Sequence, residues 1–256
     1  MVCEDRRAGR PRHRRRPRGL GAAIAAAFGR EGARVVVNYR RSAEGAAAVA
    51  APFGERALAM QADVTDPGAV AAMLSTAEIR FGTPVTTIVH NALSDFHFNG
   101  DERARISDIP WPDFAAQMAV SVRGALNLIQ AASPAMAQRG FGRIVTIGTN
   151  LFQNPVVPYH DYTAAKAALL SLTRTAAADL GPQGITVNML SGGLLRTTDA
   201  SAATPVAVFD LIAQSTPLRR VTTPEEFADA ALFFASPWSR AVTGQNLVVD
   251  GGLVRD

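Results

Sequence analysis

From Gly19 onward the chain alternates helix-type and strand-type patterns, and no other feature restricts its fold as tightly. Residues 19–28, Gly-Leu-Gly-Ala-Ala-Ile-Ala-Ala-Ala-Phe, read as a glycine turn opening an alanine-rich helix that stops near Gly32. A β-branched apolar run over 34–38 follows, the pattern of a strand buried on both faces. An alanine-rich helix at 44–51 precedes a short strand at 57–60, and further strands fit 85–90, 143–147, 185–190 and 246–249. Between them lie helical patterns near 67–80, 112–138, 161–180 and 224–235. Strands alternating with helices of this length form βαβ units. The expected fold is therefore α/β, a single domain with a doubly wound parallel sheet as the middle of three layers. Ligands of such sheets bind beyond the carboxyl ends of the strands, so functional residues should follow each strand directly.

Size and composition agree with one domain. The 256 residues are 48% hydrophobic, enough for a substantial single core, and no linker divides them. Cys3 is the only cysteine, which excludes a disulfide framework or thiolate metal cluster and suits a reducing compartment. No apolar run reaches the length of a membrane span, and the N-terminus lacks the apolar stretch of a secretory signal. A cytoplasmic protein with no membrane partner is expected. The net charge of +4 is misleading, because residues 1–18 hold eight arginines against Glu4 and Asp5. The remainder is mildly acidic, and nothing in it resembles a nucleic-acid-binding face.

A second imbalance is more informative. Of the 26 basic residues only Lys166 is a lysine. Arginine is a bulky planar fork that stays charged; lysine is a compact, titratable point charge. A chain that uses arginine everywhere else keeps lysine where arginine would not serve. Tyr162 lies four residues earlier on the same predicted helix, so the two side chains share a face. An ammonium beside the phenol is expected to lower the tyrosine pKa from about 10. The tyrosine could then exchange a proton with a carbonyl or hydroxyl oxygen.

At these residues the chain resembles the short-chain dehydrogenase/reductase family. Ile144-Val-Thr-Ile-Gly-Thr149, then Tyr162-x-x-x-Lys166, then Ile185-Thr-Val-Asn188 are similar to the family's catalytic core. The likeness runs over residues 18–254 and is nearest to 3-oxoacyl-(acyl carrier protein) reductases. It implies a Rossmann-type fold and an oxidoreductase with catalytic Tyr162 and Lys166. Thr149, thirteen residues before the tyrosine, stands where the family has a serine. A threonine hydroxyl can make the same hydrogen bond. Ser121 falls where the family places an asparagine that helps hold a water on the proton path.

The resemblance also implies a cofactor pocket. Gly19, Leu20 and Gly21 would receive the pyrophosphate at the start of the first helix. Asp63 and Val64 match the pair beside the adenine. Asn91 and Ala92 survive from the family's Asn-Asn-Ala-Gly turn, whereas Leu93 crowds what is usually an open turn. Gly193 and Thr197 stand at the nicotinamide end. Cofactor choice follows from charge: an acid after the second strand would bind the ribose of NAD and repel a 2′-phosphate. Here the segment is Asn38-Tyr-Arg-Arg-Ser42, so Arg41, Ser42 and Arg18 form an expected phosphate clamp and the cofactor is expected to be NADP(H). The segment 194–220 is expected to form the substrate lid. The resemblance further implies an acyl-thioester or small carbonyl substrate, acyl carrier protein as a partner in fatty acid biosynthesis, and a homotetramer or homodimer. Oxidation of a small secondary alcohol or sugar, or a binding role without turnover, are the alternatives.

One region departs from the pattern. The family's first strand should lead into Thr-Gly-x-x-x-Gly-x-Gly, but the threonine and first-glycine positions are Arg14 and Arg15. A buried strand cannot hold the charges of 10–16, so the central strand is expected to be lost. The division expected is an aberrant arginine-rich segment, 1–17, ahead of a reductase domain, 18–256. A shifted reading frame would account for it. The codons GGT CGC CCT CGT CAC CGG CGG encode Gly9 to Arg15, and one nucleotide on they read Val-Ala-Leu-Val-Thr-Gly, a family-type first strand.

Overall fold

A computed structural model describes residues 2–4, 19–94, 103–198 and 200–255. Seven parallel strands form one sheet: β1 (Val2–Glu4), β2 (Val35–Tyr39), β3 (Ala57–Gln61), β4 (Thr87–His90), β5 (Gly142–Thr149), β6 (Ile185–Gly192) and β7 (Asn246–Val249). Their spatial order is β3-β2-β1-β4-β5-β6-β7. The order reverses direction at β1 and β4, which is the switch point where doubly wound folds open a crevice.

Strand side chains alternate between two apolar layers, as the two-residue period requires. Val36, Ile88, Ile144 and Val187 point to one face. There they pack on α3 (Pro67–Phe81), α5 (Gly124–Gln138) and the end of α6 (His160–Leu180). Val35, Val37, Val89, Val145 and Leu190 point to the other. They meet α1 (Leu20–Arg30), α2 (Ala43–Ala50) and, through Phe227 and Phe234, α8 (Pro224–Ala235). This is the expected three-layer architecture, and no described helix is long and apolar enough to cross a membrane.

Two expectations need correction. The central strand is not lost: Val2–Glu4 takes its place, pairing with Val37, Asn38 and Tyr39 of β2 and, at Val2, with Val89 of β4. The arginine run cannot enter a buried sheet, but the three residues that pair lie ahead of it. The run itself lies outside the described residues. The helix expected over 112–138 is likewise divided, into α4 (Trp111–Met118), a π turn (Ala119–Arg123) and α5. A π turn admits one extra residue per turn and shifts the register of what it carries. Helical periodicity alone does not reveal it. The segment read as a lid contains α7 (Val206–Ser215).

The α6–β6 connection shows how tightly the layers close. Gly184 has φ +76°, and a Cβ there would come within 2.2 Å of the Gly140 carbonyl oxygen. Gly184→Ala combines a left-handed backbone penalty with a backbone clash. It should lower unfolding stability by at least about 2 kcal/mol, seen as a reduced urea midpoint at unchanged slope.

Candidate active site

β5 extends two residues past its expected end, to Thr149, and α6 begins at His160 across the carboxyl edge of the sheet. This brings Thr149, Tyr162 and Lys166 together, all buried. The Tyr162 hydroxyl hydrogen-bonds to Thr149, whose Oγ1 also accepts from the Leu151 amide at 3.3 Å. Lys166 Nζ donates to the Ile147 carbonyl at 2.7 Å and lies 5.7 Å from the centre of the Tyr162 ring. Tyr162 and Tyr159 form a small buried cluster against half-buried Leu93, Leu151 and Val157.

The expected electrostatics are reversed for the phenol. Burial pushes Tyr162 up to about 12, Tyr159 adds to the rise, and the hydrogen bond from Thr149 only partly offsets it. Lys166 donates to the Ile147 carbonyl, and burial lowers the lysine to about 8. Burial outweighs the charge–phenol attraction. The site therefore holds a neutral phenol, an acid rather than a base.

Ser121 sits in the π turn, which packs against α6. It is fully buried, and its Oγ has no partner among the described residues. His90, at the end of β4, was not anticipated as a site residue. Its ring reaches the Ser121 carbonyl through Nε2 at 3.1 Å, so that nitrogen carries the proton. Nδ1 has no partner among the described residues. Burial, then the nearby Lys166 charge, lowers His90 to about 4 against the carbonyls of Ser121 and Val120. Gly124 makes room for it: a Cβ there would stand 3.2 Å from the His90 Cε1. Two buried polar atoms without protein partners are what an internal water satisfies. The only sequence signal for His90 was its position at a strand end.

The residues expected to hold the cofactor are partly brought together. Asp63, Val64 and Ala92 line one cleft with Asn38, Arg40, Ala62 and Val120. Four of these seven lining residues are aliphatic, with Arg40 and Asp63 among the others. Asn91, half-buried, follows β4 directly. Burial tends to raise Asp63, but hydrogen bonds from Thr65 and the charges of Arg40 and Arg41 together hold it below its usual value. Both arginines therefore lie near the cleft. Arg40 lines it, a residue passed over at sequence level in favour of its neighbour, while Arg41 is exposed and Ser42 half-buried. Gly19 is the N-cap of α1, with Leu20 and Gly21 in its first turn. Gly193 packs against Asn150 and Asp250, and Thr197 is exposed, whereas Thr198 beside it is buried on Ser201. Arg18 lies outside the described residues.

Comparison with known proteins agrees with this arrangement. The family described as enoyl-(acyl carrier protein) reductase matches residues 15–254. The chain belongs to the short-chain dehydrogenase/reductase family and is an oxidoreductase of the kind that takes a nicotinamide cofactor. It is 32% identical over 240 residues to 7alpha-hydroxysteroid dehydrogenase of Escherichia coli, covering 93% of this chain and 91% of that one. It is 32% identical over 246 residues to L-rhamnose 1-dehydrogenase (NAD(P)(+)) of Azotobacter vinelandii, covering 92% and 93%. It is 30% identical over 243 residues to the 3-oxoacyl-[acyl-carrier-protein] reductase of Staphylococcus aureus, covering 92% and 94%.

The depressed His90 gives a signed pH prediction. Folded near 4 and unfolded near 6.5, it is neutral in the native state while the unfolded chain takes up a proton. Its contribution is present above pH 6.5 and is lost as pH falls toward 4. Between pH 7 and 4.5 the protein should lose about 2–3 kcal/mol on this account. His90→Asn should flatten that part of the curve, measured by urea unfolding at both pH values.

Proposed function

We propose that the protein is an NADPH-dependent carbonyl reductase in which Thr149, Tyr162 and Lys166 perform the proton chemistry. The single observation carrying this is the buried Thr149–Tyr162 hydrogen bond on a phenol kept neutral, with Lys166 fixed one turn along the same helix. The cofactor, when bound, supplies the hydride. The two hydroxyls hold the substrate oxygen, and Tyr162 donates its phenolic proton to that oxygen as the carbonyl carbon is reduced. Lys166, anchored on Ile147, keeps a cation near the phenolate left behind until it is reprotonated. Ser121 and His90 border the π turn beside Lys166, where a water would link their unpartnered atoms to the proton path. With Tyr162 pushed up to about 12 the phenol is protonated near neutral pH, so the proton that reduction consumes is in place.

For the cofactor, the absence of an acid after β2 and the pair Arg40–Arg41 support NADP(H), with Gly19, Leu20 and Gly21 under the pyrophosphate and Asp63, Val64, Asn91 and Ala92 around the adenine. Arg41, Ser42 and Arg18 remain the proposed phosphate clamp, extended to Arg40, and Gly193 and Thr197 the nicotinamide end. A 3-oxoacyl thioester is the proposed substrate type, with acyl carrier protein as the partner that presents it. An exposed Trp111 stacked on Phe114 of α4, centroids 6.1 Å apart, supports association into a homo-oligomer. The arginine-rich segment 1–17, read as frame-shifted, is proposed to weaken the glycine cradle, so cofactor binding is expected to be weaker than nanomolar by calorimetry.

Consumption of NADPH with 3-oxoacyl thioesters tests the reading. Tyr162→Phe should lower kcat by at least about 100-fold at unchanged NADPH affinity. Equal rates in the two proteins would rule out Tyr162 as the donor. In the reverse direction, alcohol oxidation needs the phenolate, so its rate should keep rising as pH approaches about 12, as far as the fold survives. Arg41→Ala should lower the NADPH to NADH preference about tenfold or more, the worth of one charge-assisted phosphate contact.

A further inference from the structure

The ends of β5, β6 and β7 stand level, because Thr149 pairs with Gly192 and Gly192 with Val249. The next residues along the three strands are therefore neighbours in turn: Asn150, Gly193 and Asp250. Adjacent strands lie about 4.8 Å apart, so the outer two backbones are separated by roughly 10 Å. Their side chains still meet, because the residue between them is a glycine. Asn150 Nδ2 donates to Asp250 Oδ2 at 2.9 Å, and both residues are buried. A Cβ on Gly193 would stand 3.0 Å from that Nδ2 and 3.2 Å from the Asp250 Cβ, and so would press on the pair.

The remaining acceptor capacity of Asp250 goes to the residues that follow it. Its Oδ1 accepts the Gly252 and Leu253 amides and its Oδ2 the Val254 amide, each at 3.0 Å. The Gly251 carbonyl takes the Leu218 amide at 3.2 Å, which fastens the same turn to the segment after α7. Asn150 is as central to its own turn, where its carbonyl accepts the Gln153 and Asn154 amides at 3.1 and 2.9 Å. That turn also supplies the Leu151 amide that donates to Thr149 Oγ1 at 3.3 Å. Three backbone donors already close the 250–254 turn on Asp250. The fourth donor, from Asn150, instead fixes the residue after Thr149 against that turn.

We propose that Asn150 and Asp250 are positioning residues of the reduction, and that the tie between them holds the turn after Thr149 so that its hydroxyl stays on Tyr162. The proposal rests on the reading of Thr149 and Tyr162 as the pair that meets the substrate oxygen. In this role Asn150 and Asp250 act through Thr149 rather than on substrate. A hydrogen bond weakens steeply as its alignment is lost, so a loosened turn costs rate even though every reacting group is present.

Initial rates of NADPH oxidation with an acetoacetyl thioester test this, alongside urea unfolding and NADPH binding by fluorescence titration. Asn150→Ala should lower kcat about tenfold, with NADPH affinity kept within about twofold. Asn150→Asp sets acceptors against each other and should cost more. Adding Asp250→Asn to it restores a donor–acceptor pair and should return at least about threefold of the lost rate. Thr149→Ala should lower kcat about 100-fold, and Asn150→Ala added to it should change kcat by less than about twofold, because its effect passes through Thr149. A lower urea midpoint with kcat unchanged in Asn150→Ala makes the tie structural only and overturns the proposal. So does a loss confined to NADPH affinity, or losses that multiply in the double variant. Should Asn150→Ala fail to fold, Asn150→Ser decides by the same criteria. No NADPH consumption by the unaltered protein removes the reductase reading and the proposal together. A full rate in Thr149→Ala removes Thr149 from the reaction, whereas a lost rate there with a full rate in Asn150→Ala removes only the tie.

Discussion

The ammonium of Lys166 is buried and bonded to a strand carbonyl at 2.7 Å, and the geometry of the site depends on that one contact. It ties α6 to β5 at the level of Ile147, two residues before Thr149. With the helix pinned there, Tyr162 is set one turn back, where its hydroxyl meets Thr149. An arginine there would bury a larger planar group and could not relieve its burial by losing a proton. That is a physical reason for the one lysine in a chain of 25 arginines.

Burial also sets the chemical character of the site. Tyr162 is pushed up, Lys166 down and His90 down, each toward its uncharged form. The three lie around the carboxyl ends of β4 and β5, closed over by the π turn and α6. His90 adds a structural tie: its ring joins the strand end to the Ser121 carbonyl, across a gap opened by Gly124. The π turn that displaces Ser121 from a regular helix is thus fixed from the strand side.

Much of the fold was legible because its determinants are local. The short apolar runs at Val35–Val37 and Ile144–Val145, and the helical patterns between strands, mark strands buried on both faces before any contact is known. Thr149, Tyr162 and Lys166 were legible because type and spacing put them after a strand and along one helix face. Arg40, His90 and the Val120 wall of the cleft beside Asp63 were not, because which side chain enters a cleft depends on how strand ends are aimed. The first strand was misread for a related reason: the arginine run argued against any strand, while pairing with β2 and β4 selects three residues ahead of it.

The amino-acid order by itself determined the alternation of elements, the two apolar faces of the sheet, the tyrosine–lysine spacing and the absence of an acid after β2. These follow from periodicity and residue chemistry, which need no partner. The tertiary structure alone decided which strand fills the sheet centre, how the helix at 111–138 breaks into a π turn, and that the phenol beside Lys166 stays neutral. Those depend on strand pairing and burial, which exist only once distant segments have packed.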